Sequence, residues 1–123
     1  MKRFLAFLLG LLCLTVGASA QSDSIKTVGA AEFANIIKSD SVILLDVRTA
    51  GEFADGHIDH ALNIDVLQSD FKAKAATLST DKVIAVYCRS GRRSMKAAGI
   101  LAKAGYKVVN LRGGWLEWQQ YEQ

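Results

Sequence analysis

Six consecutive residues, Cys88-Arg89-Ser90-Gly91-Arg92-Arg93, set one thiol beside three guanidinium groups and a glycine. A free cysteine has a pKa of ~8.5, so only a few per cent of it is thiolate at neutral pH. Lowering that value by two units takes ~2.7 kcal/mol of preference for the charged form. A helix N-terminus supplies ~0.3–1 kcal/mol, and up to ~2 in favourable settings, so backbone donors and cations must supply the rest. Gly91 lets the backbone bend and approach without a Cβ in the way, and the turned-in N–H groups of such a loop make an anion-binding nest. An inert cysteine behaves as a small buried apolar residue and needs no such neighbours. The segment therefore reads as a reactive Cys88 in a loop whose backbone N–H groups, with the cations Arg89, Arg92 and Arg93, favour an anion. Any one of the arginines could instead be solvated or paired with an acid.

The elements on either side explain how the loop is held. Lys82 to Tyr87 (KVIAVY) is a β-branched apolar run of strand length, and Ser94 to Ala104 is rich in helix formers. Cys88 thus falls at the carboxyl end of a strand and just before a helix, the edge where open α/β sheets bind ligands. Gly105 suits the left-handed position after that helix. Upstream, Ala30 to Ser39 places Phe33, Ile36 and Ile37 at helical spacing, and Val42 to Leu45 reads as a strand covered on both faces. Thr49 to Asp55 reads as a short helix ended by Gly56, and Ala61 to Ile64 as a short strand. From Asp65 onward, Leu67, Phe71, Ala75 and Leu78 mark one helical face. Val108 to Leu111 is a further strand, and Gly113-Gly114 leads into a helix around Trp115 to Gln120. Strands alternating with helices predict an α/β domain with a mostly parallel sheet and helices on both faces. No proline, internal repeat or low-complexity tract interrupts it.

The N-terminus has a different character. Met1-Lys2-Arg3 is followed by an apolar run from Phe4 to Val16 and then by Gly17-Ala18-Ser19-Ala20. This is the pattern of a secretory signal over residues 1–20, cleaved after Ala20. Residues 21–25 read as a flexible lead and 26–121 as the domain. The apolar run falls short of the ~20 residues that span a bilayer, so no stable membrane span is expected after cleavage. Cys13 leaves with the signal, and Leu11-Leu12 before it do not suit a lipoprotein site. Export to a bacterial periplasm, or secretion, is the expected localisation. The formal charge of +3 on 123 residues includes Lys2 and Arg3, and without them the mature chain carries 13 basic against 12 acidic residues. A balance of +1 gives no basis for nucleic-acid binding. Cys88 is then alone, with no internal disulfide partner.

Cys-Arg-Ser-Gly-Arg-Arg-Ser from Cys88 resembles the active-site loop of single-domain rhodaneses, the thiosulfate sulfurtransferases. Leu45-Asp46-Val47-Arg48, Glu52-Phe53, Gly56-His57-Ile58, Ala61 and Asn63-Ile64 resemble the family's upstream signature. Gly105-Tyr106, Asn110-Leu111, Gly113-Gly114-Trp115 and Trp118 resemble its closing segment, so the likeness runs from about Lys26 to Tyr121. The resemblance implies a five-stranded parallel sheet flanked by helices, with Cys88 as catalytic nucleophile. Cys88 would take sulfane sulfur from a donor such as thiosulfate, release sulfite, and pass the outer sulfur of its persulfide to cyanide or a thiol, giving ping-pong kinetics. Arg89 and Arg93 would hold the donor's sulfonate, while Ser90, Gly91 and Arg92 would contribute mainly backbone N–H groups. It implies a monomer acting on a small anionic donor and a thiol or cyanide acceptor, with no cofactor and no metal.

Asp46, Arg48 and Glu52 read as fixing the connections near the sheet end, with a place in the site as the alternative. His57 reads as a hydrogen-bonded turn histidine, and Trp115 and Trp118 as packing. Many relatives have Pro-Gly where this chain has Asp59-His60. Histidine is enriched among non-glycine residues at positive φ, so the turn is expected to survive. Two other functions fit less well. Phosphatases and arsenate reductases of similar fold place the arginine six residues after the cysteine, where this chain has Ser94. A sulfur-carrier module that docks a partner protein would use the same persulfide.

Overall fold

The computed structural model describes residues 24–123; the signal reading over residues 1–20 and most of the lead lie outside them. Five strands and five helices alternate: β1 (Ile25–Val28), α1 (Ala30–Ile36), β2 (Val42–Asp46), α2 (Ala50–Asp55), β3 (Leu62–Asn63), α3 (Phe71–Ala75), β4 (Val83–Tyr87), α4 (Arg92–Lys103), β5 (Val108–Leu111) and α5 (Gly114–Glu122). The strands form one sheet in the order β1-β5-β4-β2-β3, and every pairing is parallel. Parallel strands need helical crossovers, which cover both faces of the sheet.

The two faces can be read directly along β4. Ile84, Val86 and then Cys88 point into a core completed by Phe71 and Ala75 of α3 and Ala97, Ala98 and Leu101 of α4. Ala85 and Tyr87 point the other way, against Phe33 of α1 and Trp118 of α5. Both layers are nearly dry, and each fully buried large side chain contributes about 1.5–3 kcal/mol. Phe33 meets Trp118 edge-on at 6.3 Å, which locks α1 to α5.

Two expectations need correction. Ile25, assigned to a flexible lead, begins the edge strand β1, in register with Val108 of β5. Lys26 and Thr27 are exposed, so the short polar edge carries no apolar run to betray it. The helix expected from Asp65 is only the five residues of α3, and Leu67 is 60% exposed in the turn before it. Asp65 explains the difference: its side chain accepts from the Leu67 N–H at 2.9 Å, a turn that competes with helix. The Asp59-His60 turn does survive, with His60 at φ 72°.

Candidate active site

β4 ends at Tyr87, and Cys88 follows in the buried core with 1% exposure. Gly91, at φ 108°, turns the chain into α4, and its N–H donates to Cys88 Sγ at 3.1 Å. Ser94, fully buried, places its Oγ 3.5 Å from the sulfur and donates to the Gly91 carbonyl at 3.1 Å. Burial pushes the thiol up, but the Ser94 hydroxyl and the backbone N–H groups of Ser94, Gly91 and Ser90 outweigh it, so Cys88 is held below its ordinary pKa. The loop thus turns its N–H groups toward the sulfur.

The geometry of that loop depends on α5. The Trp115 N–H donates to the Cys88 carbonyl at 2.8 Å and the Leu116 N–H to the Arg89 carbonyl at 3.1 Å. These bonds tie the loop's carbonyls to the start of α5, away from the sulfur. Gly114 allows the approach: a Cβ at its φ of 62° would stand 2.5 Å from the Cys88 carbonyl oxygen. The sequence marked Gly113-Gly114 only as a helix entrance. Its contact with the cysteine loop could not be read along the chain.

The arginines separate into two kinds. Arg89 and Arg92 are exposed, and neither is in an ion pair among the described residues. Arg93 is half-buried and grips Glu52 with both Nη atoms, at 2.7 and 2.9 Å. The Arg93 hydrogen bonds pull Glu52 down to about 2, and Arg93 is itself raised, first by those bonds and in smaller part by the charge on Cys88. Glu52 also closes a capping box with Thr49 at the start of α2. It therefore both fixes a connection and reaches the site. Arg92 and Arg93 occupy the first turn of α4, where cations oppose the helix dipole.

The remaining motif residues hold the sheet end. Asp46 takes both Nε and Nη2 of Arg48, the latter at 2.6 Å, with both residues buried. Arg48 Nη2 also donates to the Gly56 carbonyl at 2.7 Å. The guanidinium lies 5.1 Å from the Trp115 ring and 5.6 Å from that of Tyr87, a desolvated cation–π contact joining the segment after β2 to β4 and α5. Asn63 donates to the carbonyls of Asp46 and Arg48. His57 stacks on Phe53 at 3.6 Å, with Nδ1 2.8 Å from the Phe53 carbonyl. A carbonyl only accepts, so Nδ1 carries the hydrogen and His57 is a turn residue. Trp118 is packing, as read from the sequence. A cleft of about 800 Å³ lined by Ile37, Val42, His57, His60 and Trp118 includes no residue of the cysteine loop.

A buried cysteine held below its ordinary pKa by loop N–H groups, at the carboxyl edge of a parallel α/β sheet, defines the class of fold and site. Comparison with known proteins makes the class specific. The Rhodanese-like domain family matches residues 29–121, and the chain belongs to that family. A sulfurtransferase of Allochromatium vinosum is 36% identical over 84 residues, covering 68% of this chain and 77% of its own. The structure of a rhodanese-related protein from Thermoplasma volcanium superposes with TM-score 0.70 at 32% identity, covering 78% of this chain and 92% of its own. The human single-domain sulfurtransferase gives TM-score 0.68 at 27% identity, covering 79% and 97%.

Proposed function

We propose that the protein is a thiosulfate-type sulfurtransferase working through a persulfide on Cys88. The observation that carries this reading is the Cys88 sulfur, held below its ordinary pKa by surrounding N–H donors, in a loop whose Arg89 and Arg92 are in no ion pair among the described residues. The Cys88 thiolate attacks the sulfane sulfur of the donor. An S–S bond forms, the donor's own S–S bond breaks, and sulfite leaves with the electron pair. A thiolate or cyanide then attacks the outer sulfur, and Cys88 departs as a thiolate. The same nest serves both half-reactions, because negative charge enters and leaves the loop in each. The cysteine-to-arginine spacing, one residue short of the phosphatase loop, favours sulfane sulfur over a tetrahedral phosphoryl group. The carrier reading keeps this chemistry and changes only the acceptor.

In this scheme Arg89 and Arg93 hold the sulfonate, while Ser90, Gly91 and Arg92 present backbone N–H groups. The five N–H donors of Arg93 leave three beyond those given to Glu52. Arg93→Ala should weaken thiosulfate use by about 1.5–3 kcal/mol, the value of a hydrogen bond to a charged group. Arg93→Lys should recover only part, lacking the planar fork. Because Arg93→Ala also strands the Glu52 carboxylate beside an anion site, adding Glu52→Gln should restore some of the loss. Steady-state kcat/KM across the four proteins checks this, and unchanged values in both Arg93 variants would place the residue outside the donor site.

The signal-like N-terminus supports export. The protein recovered from periplasm or medium should have an intact mass that begins at Gln21. A full-length cytoplasmic species as the dominant form would overturn that reading.

A further inference from the structure

Resting on the persulfide scheme, we propose that the Ser94 hydroxyl is a catalytic group that swings between the Gly91 carbonyl and the Cys88 sulfur as charge on that sulfur comes and goes. Ser94 is the third residue of α4 and fully buried beneath the loop. Its Oγ stands between an acceptor and a titrating atom, 3.1 Å from the Gly91 oxygen and 3.5 Å from Sγ. With Cys88 as a thiol, the S–H donates to Oγ and the Oγ–H donates to Gly91. Once the thiol proton has left, that arrangement turns an oxygen lone pair toward an anion. Rotation of the O–H alone corrects it, since a hydroxyl hydrogen moves freely about its C–O bond. The Gly91 oxygen is not orphaned by the rotation, because it also accepts the Met95 N–H at 3.2 Å.

The switch acts at two points of the cycle. It stabilises the Cys88 thiolate before attack on the donor. It does so again when the acceptor takes the outer sulfur, the Sγ–S bond breaks and the electron pair returns to Sγ. In the persulfide between them the charge lies on the outer sulfur, and the hydroxyl returns to Gly91. Ser94 thus favours the nucleophile and leaving-group form over the loaded form, which separates it from the N–H nest that faces both sulfurs. A purely helical role, a serine bonding the carbonyl three residues back, would leave the titration of Cys88 untouched.

The test is the pH dependence of iodoacetamide alkylation at Cys88 in the parent, Ser94→Ala and Ser94→Thr, with thermal melting as the control for folding. Ser94→Ala should melt close to the parent, raise the alkylation midpoint by about one unit and slow alkylation at pH 7 about tenfold. It should lower kcat for cyanide-driven discharge with little change in KM for thiosulfate, and Ser94→Thr should recover much of both effects. An unmoved midpoint in folded Ser94→Ala overturns the assignment. A raised midpoint in a chain that forms no persulfide would leave the Ser94 role standing and remove the sulfur-transfer scheme instead, so the two failures are distinct.

Discussion

Cys88→Ser is expected to lose persulfide formation and turnover together, down to the rate of the uncatalysed reaction, while folding and melting stay close to the parent. A serine hydroxyl has a far higher pKa than a thiol and cannot carry a sulfane sulfur. Its polar oxygen still meets the Gly91 N–H and the Ser94 hydroxyl that now surround Sγ, so the buried site stays satisfied and stability changes by about 1 kcal/mol or less. Cys88→Ala should be equally inactive, because Cys88 is the one cysteine among the described residues. In the parent, alkylation should rise with pH around a midpoint below the unperturbed ~8.5, and thiosulfate should protect the residue. Retained sulfur transfer in Cys88→Ser would remove the mechanism and leave the fold and family.

The second large effect pairs two glycines of one chain segment. Gly91→Ala should cost about 3 kcal/mol or more and most of the activity. Its φ of 108° is a conformation side chains rarely adopt, a strain of about 1–3 kcal/mol. A Cβ there would also collide with the Arg112 carbonyl oxygen, and backbone cannot swing aside as a flexible side chain can, adding about 1–3 kcal/mol. Any relief by movement of the loop displaces the N–H that reaches Sγ. Gly99, two turns along α4, has nothing within 4 Å of its Cβ position. Gly99→Ala should therefore stabilise by about 0.5–1 kcal/mol, the gain of alanine over glycine in a helix interior, with activity kept. Thermal melting of both variants checks the opposite signs. A Gly91→Ala protein as stable and active as the parent would contradict the loop geometry.

What the sequence reveals about this protein follows from where each signal lies along the chain. KVIAVY, the glycine after Cys88 and the helix formers from Ser94 are contiguous, so the strand, the turn and the position of the cysteine are legible together. The charge pattern of the loop is equally local, and it marks Arg93 without disclosing its partner. Glu52 is far away in sequence, and only the pairing of β2 with β4 brings α2 beside the cysteine loop. The same holds for Gly114, whose closeness to Cys88 follows from β4 and β5 being sheet neighbours. Ser94 was hidden differently. It stands in the motif in plain view, but a serine in the first turn of a helix has an ordinary structural role, and only the distance to Sγ separates the two. The β1 edge and the short α3 are not legible along the chain, because polar side chains, rather than apolar period, decide the local fold there.

Whether Cys88 itself carries the transferred sulfur can be read from the mass of the protein. The protein is treated with thiosulfate, desalted and weighed, then exposed to cyanide and weighed again. The expected result is a gain of one sulfur atom, located by digestion to the peptide containing Cys88 and lost again on cyanide treatment with thiocyanate released. A mass unchanged by thiosulfate while Cys88 remains free and alkylatable would contradict it.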